Sequence, residues 1–342
     1  MSHYLAFRFI QDENINFYEG LSHSIYHRDS TKDSISIRTV DDIDTALKFL
    51  IEEFYIPHRT GVFLSGGIDS AIVASYLPAG TPAYTFQCQA PGAIDETEQA
   101  RQYCKKYDLK HEIIEMSWSD FEELTPLLLK YNQVPFHSIE VQLVKAALHA
   151  KKQGIDHILI GTASDYVFGG MDKLLSKDWL FDEFVKRYTF IEPSDVLEEY
   201  VNIEDVYAKY KYGNGNIDFV RFLSDVMDIE CYTSYMHAFD YAGVSYRDPY
   251  AKMKLDIPLD LDRIRKGEPK YLIRELFSRR YPDIPVPTKI PMPRAMDQWL
   301  QKWNGPQRKE FKKNCVTGLT GDQKWLCWCL EQFLDMYEKG DI

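Results

Sequence analysis

Residues 64–70 have the sequence L-S-G-G-I-D-S, and their types and spacing suit the binding of a phosphate group. An apolar run before them predicts a β-strand, and the run after them predicts a helix. Ser65, Gly66 and Gly67 allow a tight turn whose backbone N–H groups, together with the helix N-terminus, attract an anion. Asp69 would repel phosphate unless it ligates Mg²⁺, which prefers carboxylate and phosphate oxygens. The competing interpretation is a glycine-rich turn with an aspartate at the start of a helix.

A second polar segment, G-T-A-S-D-Y-V-F-G-G over residues 161–170, follows another predicted strand. Ligands of open parallel sheets bind at the carboxyl ends of the strands, so we expect Asp165 to face the same crevice as Asp69. Two carboxylates at one edge of a sheet favour a Mg²⁺ site. An aspartate that caps a helix before a glycine turn is the alternative for this segment alone.

The elements that must position these two segments alternate between strand and helix from residue 59 to residue 170. Strands are predicted at G-V-F-L-S-G-G, P-A-Y-T-F-Q-C, H-E-I-I-E-M and D-H-I-L-I-G. Helices are predicted at A-I-V-A-S-Y-L, E-T-E-Q-A-R-Q-Y-C-K-K-Y-D and V-Q-L-V-K-A-A-L-H-A-K-K-Q-G. This alternation is typical of an α/β domain in which a parallel sheet carries helices on both faces.

The two flanking regions predict different structures. Residues 1–58 contain the alternating pieces Y-L-A-F-R-F-I and S-I-S-I-R-T-V, which predict a small antiparallel β unit, and then a linking helix from residue 41. Residues 171–342 predict a mostly α-helical region without further strands. Its helices are expected at L-F-D-E-F-V-K-R-Y-T-F, at V-L-E-E-Y-V-N-I-E-D-V-Y-A-K-Y and over residues 218–243.

Composition disfavours several classes of function. A chain of 342 residues suggests about two domains, and its net charge of −12 disfavours a nucleic-acid partner. No apolar run approaches the roughly 18–20 residues of a membrane span, and the N-terminus does not resemble a signal peptide. The six scattered cysteines predict a reduced, cytoplasmic protein. Cys327 and Cys329 are close together, in a stretch more typical of a buried helix than of a metal site.

Several motifs resemble one enzyme family. The S-G-G-x-D-S loop resembles the pyrophosphate-binding loop of the ATP pyrophosphatase superfamily, and residues 161–170 resemble the G-E-G-S-D-E-x-F-G-G segment of asparagine synthetases and β-lactam-forming synthetases. Residues 242–250 are similar to the family's G-[LV]-E-x-R-x-P-F segment, and residues 267–275 to its G-x-x-K-x-x-L-R-E helix start. Residues 287–291 lie where the family carries a lysine. The resemblance covers roughly residues 45–300 and implies an adenine nucleotide alpha hydrolase-like fold.

The resemblance also implies cofactors and roles for residues. ATP and Mg²⁺ are the expected cofactors, with Asp69 and Asp165 as metal ligands. Lys270 would contact pyrophosphate and Lys289 would stabilise charge in the chemical step, because breaking the bond between the α- and β-phosphates builds negative charge that cations stabilise. A solvated lysine in a proline-rich turn is the alternative for Lys289. Contacts with ATP are implied at Leu64, Ser65, Gly66, Gly67, Asp69, Ser70, Phe86, Gln87 and Gly161.

The chain also departs from the family pattern. Residue 2 is serine, and residues 1–58 are too short for the glutaminase domain that carries an N-terminal cysteine nucleophile in these synthetases. A separate glutaminase could therefore supply ammonia. Thr162 stands where the family has glutamate or tyrosine, and threonine is a poor general base at neutral pH. His137 or Glu140 could supply a base, with helix capping or packing as the alternative for each.

Further positions are candidates for the side of the crevice that binds the substrate. Arg247 is one of them, with a stabilising salt bridge as its alternative role. The complete set of candidates is Thr162, Ser164, Tyr166, His137 and Arg247.

Together these features predict an AMP-forming carbon–nitrogen ligase. It would adenylate a small-molecule carboxylate and transfer the acyl group to ammonia or an amine, without nucleic-acid or membrane partners. A nucleotide-binding relative that has lost the reaction is one alternative. Another ATP pyrophosphatase, such as an RNA-modifying enzyme, is a second.

Overall fold

Five parallel strands form the central sheet of the computed structural model, which describes residues 1–28, 34–290 and 292–342. The strands of the chain are β1 Ile35–Ile37, β2 Thr60–Phe63, β3 Pro82–Cys88, β4 Lys110–Met116, β5 His157–Leu159, β6 Lys211–Tyr212, β7 Asn216–Ile217, β8 Ser245–Arg247 and β9 Met253–Leu255. The order in the sheet is β4-β3-β2-β5-β8. The order reverses between β2 and β5, which makes their carboxyl ends the topological switch point where such sheets bind ligands.

Helices surround this sheet and make up most of the remaining regular structure. They are α1 Ser2–Phe7, α2 Val40–Phe54, α3 Ile68–Ala74, α4 Thr97–Tyr107, α5 Trp118–Asn132, α6 Ile139–Lys152, α7 Ser164–Val167, α8 Phe181–Tyr188, α9 Pro193–Val196, α10 Glu204–Ala208, α11 Phe219–Phe222, α12 Asp228–Ala242, α13 Leu261–Arg265, α14 Tyr271–Arg280, α15 Met296–Trp299 and α16 Gly321–Lys339. A π-helical turn joins α11 to α12, and a 3₁₀ helix precedes β9.

Neighbouring residues of the inner strands β2, β3 and β5 enter separate apolar clusters on the two faces of the sheet, because side chains alternate along a strand. On β2, Phe63 packs with α5, α6, α12 and α16, whereas Val62 packs with α2, α3, α4 and α14. Ile158 and Leu159 of β5 divide in the same way. The predicted parallel sheet with helices on both faces is therefore confirmed.

The predicted antiparallel β unit at the N-terminus is wrong. Residues 2–7 form α1, in which Tyr4, Leu5, Ala6 and Phe7 are all buried. Burial on every side of this short segment favours a helix, although its sequence alternates like a strand. β1 is a strand, but it pairs in parallel with β9 far along the chain.

The expectation that strands end at residue 170 is also wrong. β8 pairs in parallel with β5, with Tyr246 opposite Ile158, and completes the central sheet. At three residues this strand is too short to show a period in the sequence. The small hairpin β6–β7 and the strand β9 lie in the same region.

Two of the three helices expected in this region are borne out, because α8 lies within the first expected segment and residues 218–243 form a nearly continuous helical run. The helix expected over residues 196–210 is mostly wrong, since only Val196 and Glu204–Ala208 are helical and Leu197 pairs with Phe311 in an isolated bridge. Cys327 and Cys329 are buried within α16, as the packing interpretation expects.

The division of the chain at residues 58 and 170 stays a prediction. Within the described parts of the chain, every helix is too short or too polar to cross a bilayer.

Candidate functional site

A cavity of about 230 Å³ opens at the carboxyl ends of β2 and β5. The segments after these two strands form one side of it, and residues of β3, α6, α12, α14 and the loop before α15 also line it. Most of the residues selected from the sequence line it, namely Leu64, Ser65, Gly67, Asp69, Ser70, Phe86, Gly161, Thr162, Asp165, Lys270 and Lys289. The fold therefore brings both sequence motifs and both lysines to one place.

The loop between β2 and α3 is held by its own serine hydroxyls. The Ser70 hydroxyl accepts a hydrogen bond from the Ser65 backbone N–H at 3.1 Å and lies 3.0 Å from the Ser65 hydroxyl. The Ser65 hydroxyl in turn accepts from the Gly67 N–H at 3.1 Å. These contacts fix the turn that precedes Asp69 at the edge of the cavity.

Two carboxylates and two ammonium groups form a charge cluster, defined here as Asp69, Asp165, Lys270 and Lys289. The Lys270 Nζ lies 2.5 Å from Asp69 Oδ2 and 2.5 Å from Asp165 Oδ1. The Lys289 Nζ lies 2.9 Å from Asp165 Oδ1 and donates to the Gly170 carbonyl at 2.7 Å. With all four groups ionised, the charges of the cluster sum to zero.

Opposite charges outweigh the cost of burial at Lys270, whose residue is only 5% exposed. Burial alone would lower the pKa of Lys270, but the carboxylates of Asp69 and Asp165 raise it to about 12. Burial would likewise raise the pKa of Asp165, and the charges of Lys270 and Lys289 instead hold that pKa below its ordinary value. Lys270 and Asp165 are therefore ionised at neutral pH.

Two glycines permit the close approach of these groups. A Cβ atom at Gly161 would lie 3.0 Å from the carbonyl carbon of Asp69, so the loop after β5 packs directly against the loop after β2. A Cβ atom at Gly170 would overlap the Asp165 carboxylate and the Lys270 side chain. Side chains at these positions would push the cluster apart.

The donor set of the cluster fits Mg²⁺ in a limited way. Asp69 and Asp165 each place an oxygen 2.5 Å from the same Lys270 nitrogen, so both carboxylates face one point. Among the described residues, no group of three or more acidic, histidine or cysteine side chains could hold a metal. Mg²⁺ is commonly held by one or two carboxylates together with substrate phosphates and water. Asp69 and Asp165 would therefore hold it jointly with a bound nucleotide.

Two of the residues predicted from the sequence do not line the cavity but form hydrogen bonds next to it. The Ser164 hydroxyl donates to Asp69 Oδ1 at 2.6 Å and orients that carboxylate. The Gly66 carbonyl accepts from the buried Tyr103 phenol at 3.0 Å. Neither Ser164 nor Gly66 lines the cavity.

Four other selected residues point elsewhere. Gln87 follows Phe86 on β3, so its side chain leaves the opposite face and donates to Asp95 at 2.8 Å. The Tyr166 phenol donates to the Met227 carbonyl at 3.4 Å. Arg247 is exposed at the end of β8, and His137 is buried two residues before α6.

The two candidate bases have structural roles. His137 Nδ1 accepts from the Ile139 N–H at 3.2 Å, and burial holds the pKa of His137 well below its ordinary value. Glu140 is buried, accepts from the Asn132 amide at 2.9 Å, and lies 3.8 Å from the His237 ring nitrogen. These contacts agree with the capping and packing alternatives.

Sequence reasoning missed two ionisable residues of the cavity, Glu96 and Arg274. Burial raises the pKa of Glu96 to about 7, and the neighbouring Gly66 backbone offsets only part of that rise. In the sequence it looks like an ordinary acid near the start of a helix. Arg274 lies four residues after Lys270 on α14, so helical spacing could have identified it.

Two further residues act around Thr162. Tyr235 of α12 lines the cavity together with Thr162. Asp248 is buried and accepts from the Ala163 N–H at 2.7 Å and from the Tyr246 hydroxyl at 3.1 Å. Asp248 thereby fixes the turn that presents Thr162 and Asp165.

Comparison with known proteins finds a family match over part of the chain. Residues 58–214 match the family model described as asparagine synthase. This segment spans somewhat less than half of the chain and includes Asp69 and Asp165, whereas Lys270, Arg274 and Lys289 lie beyond it. No curated protein matches the sequence significantly.

A solved structure with some similarity is the U34-tRNA thiolase NcsA from Methanococcus maripaludis with its 4Fe-4S cluster. The identity is 14% over 80% of this chain and 91% of that chain, with a TM-score of 0.28. A similarity this low supports no conclusion about the fold or activity of the chain.

Removal of the Lys270 ammonium should destabilise the fold. Lys270→Met leaves the Asp69 carboxylate without a counter-charge beside Asp165, which keeps only Lys289, and we expect this to lower the free energy of unfolding by about 3–5 kcal/mol. Urea unfolding at neutral pH measures the effect. Lys302→Met, at an exposed position, is the control and should change stability by less than about 0.5 kcal/mol. Equal stability of the two variants would contradict the charge cluster.

Glu96→Gln should change how stability depends on pH. The pKa of Glu96 is about 7 in the folded protein against an ordinary value of 4.5. Between these values the folded state keeps a proton that the unfolded state releases, so this carboxyl makes the wild type less stable as pH rises through the window. We expect the variant to gain about 1–3 kcal/mol over the wild type across that window.

Urea unfolding at several pH values measures this difference. Glu52→Gln, an exposed position on α2, is the control and should follow the wild type. Parallel curves for the wild type and the Glu96 variant would show that the pKa of Glu96 is not raised.

Proposed function

We propose, from the premise that residues 58–214 are an asparagine synthase domain, that the chain is an ATP-dependent ligase that joins a carboxylate to ammonia or an amine and releases AMP and pyrophosphate. The observation that carries this proposal is the charge cluster at the switch point of the sheet. It pairs two carboxylates suited to a divalent cation with two lysines suited to a polyphosphate, directly beside a serine–glycine loop.

The first step of the proposed reaction forms an acyl-adenylate. A carboxylate oxygen of the substrate attacks the α-phosphorus of ATP, the bond to the β-phosphate oxygen breaks, and pyrophosphate leaves with the bond electrons. Mg²⁺, when bound, would supply positive charge to the phosphate oxygens. Asp69 and Asp165 would hold that cation, and the loop at Ser65 would orient the phosphates.

Lys270 and Lys289 would stabilise the negative charge that develops on the phosphate groups in this step. In the charge cluster Lys270 and Lys289 are paired with the aspartates, so both become available to a phosphate chain only when a cation takes their place beside the carboxylates. Lys270 would then bind the pyrophosphate as it leaves. Lys289, whose side chain is 46% exposed, is the more exposed of the two lysines and would stabilise the reacting centre.

The second step transfers the acyl group to nitrogen. Neutral ammonia or a neutral amine attacks the acyl carbon, AMP leaves with the electrons of the broken carbon–oxygen bond, and the surplus proton passes to water. Thr162 and Tyr235 present hydroxyls at this side of the cavity. Burial raises the pKa of Tyr235, so both groups orient by hydrogen bonds and neither acts as a base at neutral pH.

The partners and the location are part of the same proposal. The small-molecule carboxylate, an ammonia source such as a separate glutaminase, and the absence of nucleic-acid and membrane partners remain proposals. All six cysteines are free, which supports a reducing, cytoplasmic location.

The products decide the class of reaction. Incubation of the protein with ATP, Mg²⁺, ammonium and a panel of amino acids and sugar acids should yield AMP and pyrophosphate in a carboxylate-dependent manner. A pyrophosphate-coupled assay and chromatography of the nucleotides measure them. Release of ADP and phosphate instead would contradict the proposal, and ATP binding without turnover on any acid would favour a relative that has lost the reaction.

Lys289→Met should abolish turnover and leave the fold intact. The loss of a positioned cation at the reacting centre is expected to lower kcat by at least about 10²-fold. Stability should change by less than about 1 kcal/mol, since the ion pair of Lys289 is half exposed. The control is Lys302→Met, which should keep full activity. Unchanged turnover in the Lys289 variant would remove Lys289 from the catalytic step.

A further inference from the structure

Three basic side chains line the cavity, and they differ in whether a carboxylate neutralises them. Lys270 is paired with Asp69 and Asp165, and Lys289 is paired with Asp165. Arg274 lines the same cavity, and in the described part of the chain no carboxylate lies within ion-pair distance of its guanidinium. Arg274 is therefore the cavity cation that is available to an incoming anion without prior rearrangement.

The position of Arg274 on α14 places it next to the charge cluster. Lys270 is the N-cap residue of α14, and Arg274 follows one turn later on the same side of the helix. The backbone N–H of Arg274 donates to the Lys270 carbonyl at 2.9 Å, so the two side chains start from adjacent turns. An anion bound by Arg274 would thus lie beside the lysine that is paired with both aspartates.

The other arginines of α14 show that an unpaired guanidinium is unusual on this helix. Arg279 donates to Asp41 at 2.5 Å and to Glu275 at 2.6 Å. Arg280 donates to the Ser75 carbonyl at 2.6 Å and stacks over the Tyr76 ring at 4.2 Å. Both have partners outside the cavity, whereas Arg274 faces into it.

We propose that Arg274 is the initial contact for the phosphate chain of ATP, which it holds with paired hydrogen bonds while Lys270 and Lys289 are still bound to the aspartates. A planar guanidinium with several donors suits the oxygens of a phosphate group better than a lysine does. This inference rests on the proposed function, because that function requires ATP in the cavity. It assigns to Arg274 a binding role that needs neither Mg²⁺ nor the release of either lysine.

Binding measurements with and without a divalent cation test the proposal, and they need no knowledge of the carboxylate substrate. ATP is titrated into the wild type and into Arg274→Met by calorimetry, once in EDTA and once with Mg²⁺. In EDTA both lysines keep their aspartate partners, so we expect the variant to bind ATP about 10- to 100-fold more weakly than the wild type. With Mg²⁺ the lysines become available, and the difference should be smaller.

Two further variants and a second ligand separate a phosphate contact from a structural role. Arg279→Met, on the same helix but outside the cavity, should bind ATP like the wild type. Arg274→Lys keeps the charge but loses the planar donor pair, and its affinity should lie between those of the wild type and Arg274→Met. Adenosine, which has no phosphate, should bind equally to the wild type and Arg274→Met.

The outcomes distinguish this inference from the proposed function. Equal affinity of the wild type and Arg274→Met for ATP in EDTA would overturn the role of Arg274 and leave the ligase proposal intact. An equal loss of adenosine and ATP binding in Arg274→Met would also overturn it, because the residue would then act through the fold. A wild type that binds no ATP under either condition would overturn both proposals.

Discussion

The buried ammonium of Lys270 between Asp69 and Asp165 is the interaction on which the rest of the site depends. Removing the ammonium and most of each carboxylate from water is costly, and the cost is offset only when opposite charges lie in direct contact. Both contacts measure 2.5 Å, and both carboxylates retain further hydrogen-bond or ion-pair partners. The side chains of Asp69, Asp165 and Lys270 must therefore come into contact with one another when folding buries them.

This requirement joins distant parts of the chain. Asp69 follows β2 and Asp165 follows β5, whereas Lys270 is the N-cap residue of α14 and lies 201 residues after Asp69. Hydrogen bonds reinforce the same junction, because the Tyr250 phenol donates to the Asp69 carbonyl at 3.2 Å and the Tyr281 phenol donates to the Ala71 carbonyl at 2.6 Å. The helical region is thus a structural part of the site at the sheet edge, and it supplies every basic side chain of the cavity.

The sequence predicts the sheet from β2 to β5 because each of these strands has an apolar run and a following helix, and the loops that carry Asp69 and Asp165 come with them. It does not predict β8, since a strand of three residues is too short to show a period. It does not predict α1 either, since that sequence alternates like a strand although the segment is a helix buried on every side. The position of Gln87 follows from strand geometry once Phe86 is known to face the cavity. The pairing of Lys270 with both aspartates could not be predicted, because it depends on long-range contacts that no local pattern records.

The net charge of −12 does not describe the charge inside the cavity. Asp69 and Asp165 add no net charge to the cavity, because Lys270 and Lys289 balance them. An anion without a cation of its own finds these lysines already paired, and to release them it would have to leave two carboxylates exposed to each other. A polyphosphate that arrives with a divalent cation can exchange one counter-ion for another, so that no charge is left unpaired. The ion pairs therefore favour ligands of the kind that the proposed reaction consumes, on a surface whose overall charge would repel them.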